Sequence, residues 1–241
     1  MTTPTRPELK RKTRRVISAL FSLFGPARWQ PDGRDPLSSL ILTMLSQNTT
    51  DANRDLAYGR LRERFPSWED VMRASPGTIE AAIRPGGLAG QKSRRIRDLL
   101  RWLKKTRGEL SADFLKDLDL KGAQKVIGHL KGIGPKTLSV VLMFTFGKDA
   151  FPVDTHVHRV CLRLGLIAEN CSAEKAHFEM AALLPPGKAY STHIHMWKFG
   201  KFMCQARKPH CWECPLVKEC IYPLKNLTGE KSAPRQRGKK S

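Results

Sequence analysis

The sequence predicts an all-α protein. One segment has strict helical apolar spacing, several shorter ones repeat it, and Gly/Pro breakers fall between them. The strongest pattern is residues 91–105, where Ile96, Leu99, Leu100 and Leu103 line one face and Arg94, Arg95, Arg97, Arg101 and Lys104 the other. Residues 37–47 read as a mostly buried helix, and 51–64 as an amphipathic one with Leu56 and Leu61 inward. Residues 155–166 repeat the spacing with Val157, Val160, Cys161 and Leu164. The segment TLSVVLMFTF, 137–146, is apolar nearly all round. As a helix it would run through a core, and its Val and Phe content also admits a strand. Breakers stand at Gly25-Pro26, Asp35-Pro36, Phe65-Pro66, Pro85-Gly86-Gly87 and Gly132-Ile133-Gly134-Pro135.

At 241 residues the chain is long enough for one large domain or two modest ones. No apolar run approaches the roughly 18 residues of a membrane span, and the N-terminus lacks the apolar core of a secretion signal. The expectation is a soluble, intracellular protein with no membrane partner, cytoplasmic and nucleoid-associated if the source is prokaryotic. Charge narrows the partner: 43 Lys and Arg oppose 22 Asp and Glu, a net +21. Residues 1–17 and 225–241 each carry six basic residues against one acid, so about half the excess remains on the body. A body this basic predicts a polyanion, nucleic acid before anionic membrane. Beyond Pro223 the chain turns polar and basic, and 225–241 is predicted to be a disordered tail.

Three constellations carry chemistry. In Leu130-Lys131-Gly132-Ile133-Gly134-Pro135-Lys136-Thr137, two glycines permit the positive φ of a tight hairpin, and Pro135 suits the first turn of a following helix. Free N–H groups at that helix start can receive a phosphate oxygen. An ordinary helix–helix turn is the plainer reading. In Phe151-Pro152-Val153-Asp154-Thr155-His156, Asp154 is a good N-cap. It also follows Lys136 by eighteen residues with one helix between, which allows both groups to reach one cleft. Last, Cys204-x6-Cys211-x2-Cys214-x5-Cys220 offers four thiolates for a [4Fe–4S] cluster or for zinc, and spacing alone leans only modestly to the cluster. The loop 205–210, with Arg207 and Lys208, would project as a phosphate-binding finger. Cys161 and Cys171 read as core thiols, and His156, His158, His193 and His195 as packing or hydrogen-bonding residues.

The order LKGIGPKT, VDTH, C-x6-C-x2-C-x5-C resembles the endonuclease III branch of the helix-hairpin-helix DNA glycosylases, from about Asp35 to Tyr222. The resemblance implies an all-α, two-lobed helix-hairpin-helix glycosylase fold. A six-helix barrel would span 29–148 with its hairpin at 130–137. An iron–sulfur lobe would combine 1–28 with 149–224. It implies a monomeric bifunctional enzyme, a DNA N-glycosylase and AP lyase of base excision repair. The partner would be double-stranded DNA carrying damaged bases, oxidised pyrimidines first, or abasic sites. Lys136 would be the nucleophile, Asp154 the essential carboxylate, and Cys204, Cys211, Cys214 and Cys220 the [4Fe–4S] ligands. Leu88 matches a wedge that enters the duplex. Asn48 stands where the family has a glutamine that fills the flipped base's place, and Gln47 beside it is the other candidate. Gly132 and Gly134 would meet the phosphate backbone. Pro135 departs from the family, where a basic residue is frequent before the lysine.

Two rivals remain. A monofunctional glycosylase for G·T or G·U mismatches shares the scaffold and differs in pocket residues; removal of adenine fits poorly, because Thr43 stands where a carboxylate is needed. A non-catalytic helix-hairpin-helix DNA-binding protein would leave Lys136 and Asp154 without purpose.

Overall fold

Short polar residues set most helix starts in this chain. In the computed structural model, which describes residues 4–228, all regular structure among those residues is helical. The first helix, α1 (Arg6–Phe24), begins where Glu8 accepts the Thr5 N–H at 2.7 Å. Asp35 caps α2 (Pro36–Leu45) by accepting from the Ser38 N–H at 2.8 Å, and Pro36 occupies the first turn, where its missing N–H is not needed. Thr50, Ser67, Ser75 and Asp119 cap α3 (Asp51–Arg64), α4 (Trp68–Arg73), α5 (Pro76–Ile83) and α7 (Leu120–Ile127) in the same manner. Between α5 and α7 runs α6 (Ala89–Arg107), and after the hairpin comes α8 (Pro135–Phe144). Asp154 and Ser172 cap α9 (Thr155–Arg163) and α10 (Ala173–Leu183), and α11 (Ala189–Phe202) follows. No side chain caps α6, α8 or α11.

The chain divides into two units, one running Arg28–Pro152 and the other formed by the described residues up to Ala27 and from Val153. In the first, α2 packs against α3, α6 and α8, with α5 and α4 on α6 and α7 on α8. Ile96, Leu99, Leu100 and Leu103 are all fully buried, as the spacing predicts. The apolar segment is a helix and not a strand: α8 buries Leu138, Val141, Leu142 and Met143. Each such side chain contributes about 1.5–3 kcal/mol on leaving water. Leu56 is a correction. It is 47% exposed, and Ala57 sits inward beside Leu61 instead. Five residues turn a helix well past one revolution, so Leu56 and Leu61 cannot share a face, whereas Ala57 and Leu61 at i, i+4 can.

The second unit packs α9 against α11, α1 against α10 and α11, and α10 against α9. Val157, Val160, Cys161, Val16, Leu20, Met180, Met196 and Phe199 fill its core. Gly200 is required there: a Cβ at this position would lie 2.9 Å from His156 Cβ, too close for α11 to keep its seat on α9. From residue 229 onward the predicted disordered tail lies outside the described residues. No helix among the described residues is long and apolar enough to cross a membrane.

Candidate active site and nucleic-acid interface

Within the Arg28–Pro152 unit, the hairpin between α7 and α8 is a turn braced from beneath. Ile133 is buried, and its N–H donates to Leu130 O at 3.0 Å. Gly132 has φ +91°, and a Cβ there would also meet Arg95 Cδ at 3.0 Å, so both conformation and space demand glycine. Gly134 differs from the expectation of a second positive φ. It is extended at φ −100°, because it is already the N-cap position of α8 and needs no reversal. With no side chain over that end, the N–H groups of Lys136 and Thr137 keep their orphan character and face any anion brought to them. Lys136 itself is exposed in the first turn of α8.

Gln47 is fastened to this hairpin. Its Nε2 donates to Gly132 O at 2.8 Å and to Thr137 Oγ1 at 3.3 Å, and Arg95 donates to its Oε1 at 3.4 Å. Asn48 is exposed and has a left-handed backbone at φ 53°. Leu88, at the start of α6, is 52% exposed with φ 48°. These two are the only non-glycine residues of positive φ among those described. Asparagine tolerates that region, but for leucine it costs on the order of 1–3 kcal/mol. Between α2 and α8 lies a recess of about 240 Å³, lined by Ser39, Thr43, Ser46, Val140 and Phe144 among others. Thr43 Oγ1 donates to Ser39 O at 2.7 Å, whereas the buried Ser39 Oγ has no hydrogen-bond partner within the protein.

In the other unit, Asp154 Oδ1 accepts from the His156 and Val157 N–H groups, each at 2.8 Å, so the capping role is met in full. Arg159 ties this helix to the cysteine loop, donating to Gly200 O at 2.6 Å, Cys204 O at 3.0 Å and His156 Nδ1 at 3.2 Å. One turn on, Arg163 donates to Gln205 O at 2.7 Å and Ala206 O at 2.9 Å, approaches Cys204 Sγ at 3.4 Å, and lies 4.1 Å over the Tyr222 ring. Cys204, Cys211, Cys214 and Cys220 line one cavity with Phe199, Leu216 and Tyr222. Burial pushes Cys214 up to about 11 and raises Cys204, where Arg163 opposes the shift. The apolar wall thus favours the neutral form of Cys204 and Cys214, and a cationic centre is what would draw these two out as thiolates.

Among the described residues no three of His, Cys, Asp or Glu converge closely enough to hold a single metal ion. Four cysteines lining one cavity are a donor set that either a [4Fe–4S] cluster or a tetrahedral ion could use. Cys161, fully buried beside Met196, and Cys171, bonded toward Glu179, stand apart from that cavity. Arg207 and Lys208 are exposed on the loop, whose far end is pinned by His210 N–H to Met203 O at 2.9 Å.

The structure therefore gathers Gln47 with the hairpin, Asn48 with the Leu88 turn, and the four cysteines with one another. Lys136 and Asp154 stand in different units. The sequence reading missed the arginines of α9, because no local motif marks a partner some forty residues away, and Ser39, because nothing local marks a hydroxyl buried at the wall of a recess.

Residues 41–186 match the family described as HhH-GPD superfamily base excision DNA repair protein. The chain is 36% identical over 172 residues to a protein of Arabidopsis thaliana named "putative DNA glycosylase", covering 71% of this chain and 59% of that one. Against the endonuclease III of Thermotoga maritima it is 34% identical over 196 residues, 81% of this chain and 87% of that. A solved endonuclease III trapped as a covalent DNA intermediate is similar with TM-score 0.73 and 31% identity, covering 88% of this chain and 95% of that one. With the family matching over half the chain and the endonuclease III fold superposing on nearly all of it, the chain belongs to the HhH-GPD superfamily of base excision DNA repair proteins, as an endonuclease III-like member.

Proposed function

We propose that this protein excises damaged pyrimidines from duplex DNA and then cleaves the strand at the resulting abasic site, with Lys136 as nucleophile. The observation that carries the reading is Lys136 itself. It is exposed in the first turn of an uncapped helix, behind a glycine hairpin that Gln47 and Arg95 brace. The orphan N–H groups would hold a phosphate, and the lysine Nζ would then stand beside the sugar. Extruding the base costs a few kcal/mol, less at a lesion. Leu88 would wedge the stack and Asn48 would fill the gap, Gln47 being engaged by the hairpin. The extruded base would enter the recess between α2 and α8, where Ser39 Oγ lacks a partner.

The neutral Lys136 amine attacks C1′, the bond from C1′ to the base breaks, and the base leaves with a proton. The C1′–O4′ bond then opens, the remaining N–H proton of the amine passing to O4′, and the Schiff base so formed acidifies C2′. Loss of that proton breaks the C3′–O bond and releases the strand 3′ to the site. Asp154 would stabilise positive charge on the sugar during the first step and assist proton transfer. Cys204, Cys211, Cys214 and Cys220 fit a [4Fe–4S] cluster, whose contribution would be structural: it fixes the loop that carries Arg207 and Lys208 against the backbone. The enzyme would act as a monomer.

The deciding experiment is an incision panel on duplexes bearing thymine glycol, dihydrouracil, uracil opposite G, thymine opposite G and an abasic site. Incision at the first two and at the abasic site is expected. Base removal confined to the G mismatches, with no strand cleavage, would favour the monofunctional rival, and inactivity on all five would leave a DNA-binding protein.

Freshly purified protein is expected to be brown and to contain about four iron and four sulfide per chain. Serine at Cys161 or Cys171 should leave that content unchanged, since neither lines the cavity. Loss of iron in either variant would show that the ligand set is different.

DNA affinity should fall steeply with salt. If six to eight phosphates are neutralised by the body, log K against log salt should have a slope of roughly −5 to −7. Deleting residues 225–241 should make the slope shallower and keep most of the affinity. A binding curve indifferent to salt would refute the charge argument.

A further inference from the structure

Lys92 lies in α6 with only 1% of its surface exposed. No carboxylate pairs with it among the described residues. Its Nζ donates instead to two backbone carbonyls, Leu45 O at 2.7 Å and Gly86 O at 2.8 Å. Its own backbone N–H donates to Leu88 O at 2.9 Å. Burial holds its pKa below the usual lysine range. An ammonium desolvated against carbonyls alone is a poor choice for stability, since an apolar side chain of similar length would fill the space without the desolvation cost.

What the ammonium touches gives the reason for it. Leu45 is the last residue of α2, immediately before the Ser46-Gln47-Asn48 loop. Gly86 ends the 3-10 turn Arg84–Gly86, immediately before Gly87 and Leu88. Carbonyls at a helix end carry partial negative charge, so one cation can hold both ends at once. The two segments it joins present Asn48 and Leu88, the only non-glycine residues of positive φ among those described. They lie side by side: a Cβ on Gly87 would be 3.9 Å from Asn48 O.

We propose that Lys92 is a positioning residue whose buried ammonium clamps the Asn48 loop to the Leu88 turn, fixing the spacing at which the two side chains enter the base stack. The clamp rests on the reading of Asn48 and Leu88 as the groups that enter DNA. It supplies rigidity where both backbones are left-handed, so that neither relaxes when solvent is replaced by stacked bases. Because the Lys92 ammonium bonds to Leu45 O and Gly86 O and not to the hairpin, its loss should act on base extrusion and spare the chemistry that follows.

The test compares one lesion in two settings, paired within a duplex and unpaired within a bubble that already leaves the base outside the stack. Single-turnover excision is measured with iron-loaded protein below the melting temperature of each variant. Lys92→Met should slow excision from the paired site by about thirtyfold to hundredfold, the scale of a small misplacement, and from the bubble by less than about threefold. On the paired site, Lys92→Met added to Leu88→Ala should cost less than about threefold further, because both remove the same wedge. Equal slowing on both substrates would overturn the proposal by showing a general structural role. So would no slowing on either, or fully additive losses with Leu88→Ala. If Lys92→Met does not fold, Lys92→Gln, which keeps a donor, is judged by the same ratio. Wild-type inactivity on both substrates would instead refute the glycosylase reading, so the two failures are separable.

Discussion

Lys136→Ala is expected to abolish covalent trapping by borohydride and to reduce strand cleavage by about 10⁴-fold or more, the scale at which losing a nucleophile is felt. The expectation follows from position as well as residue type. Lys136 is exposed, so the variant should fold, bind iron and hold DNA nearly as the parent does. Its charge is one of many on a chain of net +21, so losing it should shift the salt slope by no more than about one. The assay is a borohydride time course on an abasic duplex, with affinity measured in parallel. Trapping that persists in Lys136→Ala would mean that another amine forms the Schiff base. The lysines of the hairpin and tails, Lys131 first, would then be the next to replace.

Asp154→Asn is expected to slow single-turnover base excision by a hundredfold or more while affinity for the lesion duplex holds or improves. Geometry makes this a clean comparison. The cap is formed by one oxygen, Oδ1, which receives both the His156 and the Val157 N–H. An asparagine Oδ1 can receive the same two, and asparagine caps about as well as aspartate. What the substitution removes is charge, worth about 0.3–1 kcal/mol beside a helix start and a hundredfold, about 2.7 kcal/mol, if it stabilises a transition state. The measured pair is therefore excision rate and dissociation constant on one duplex. Equal rates in the two proteins would return Asp154 to the role of cap and leave Lys136 without its partner.

The helical architecture was legible because its signals are local. The α6 stripe buries all four residues its spacing marks, and Asp35, Ser67, Ser75, Asp119 and Ser172 stand at helix starts where short polar side chains are expected. Leu56 failed because counting apolar residues in a window ignores which of them share a face. The hairpin was half legible: two glycines one residue apart announce a turn, but only the fold shows that Gly132 needs the positive φ and Gly134 does not. The four cysteines were legible as a group by spacing, yet Arg163 beside them was not, since its contacts lie forty residues downstream. Lys92 was the least legible. In the sequence it is one basic residue among several on a basic helix, and its Cα position alone decides that it turns inward. The juxtaposition of Lys136 and Asp154 rests on the family resemblance and on the experiments above.

The helix ends that no side chain covers have a consequence for anyone who would harden this protein. Gly134 is extended, and a Cβ there would meet nothing within 4 Å, so serine or aspartate would fit and cap α8. Leu88→Gly would relieve a left-handed leucine. Both changes should raise the melting temperature slightly, a few tenths of a kcal/mol for the cap and on the order of 1 kcal/mol for the relieved backbone. A library screened for heat resistance alone would collect them early. Its winners would be sturdier molecules that had closed the proposed anion seat and blunted the proposed wedge, a drift that only a screen coupled to repair would prevent.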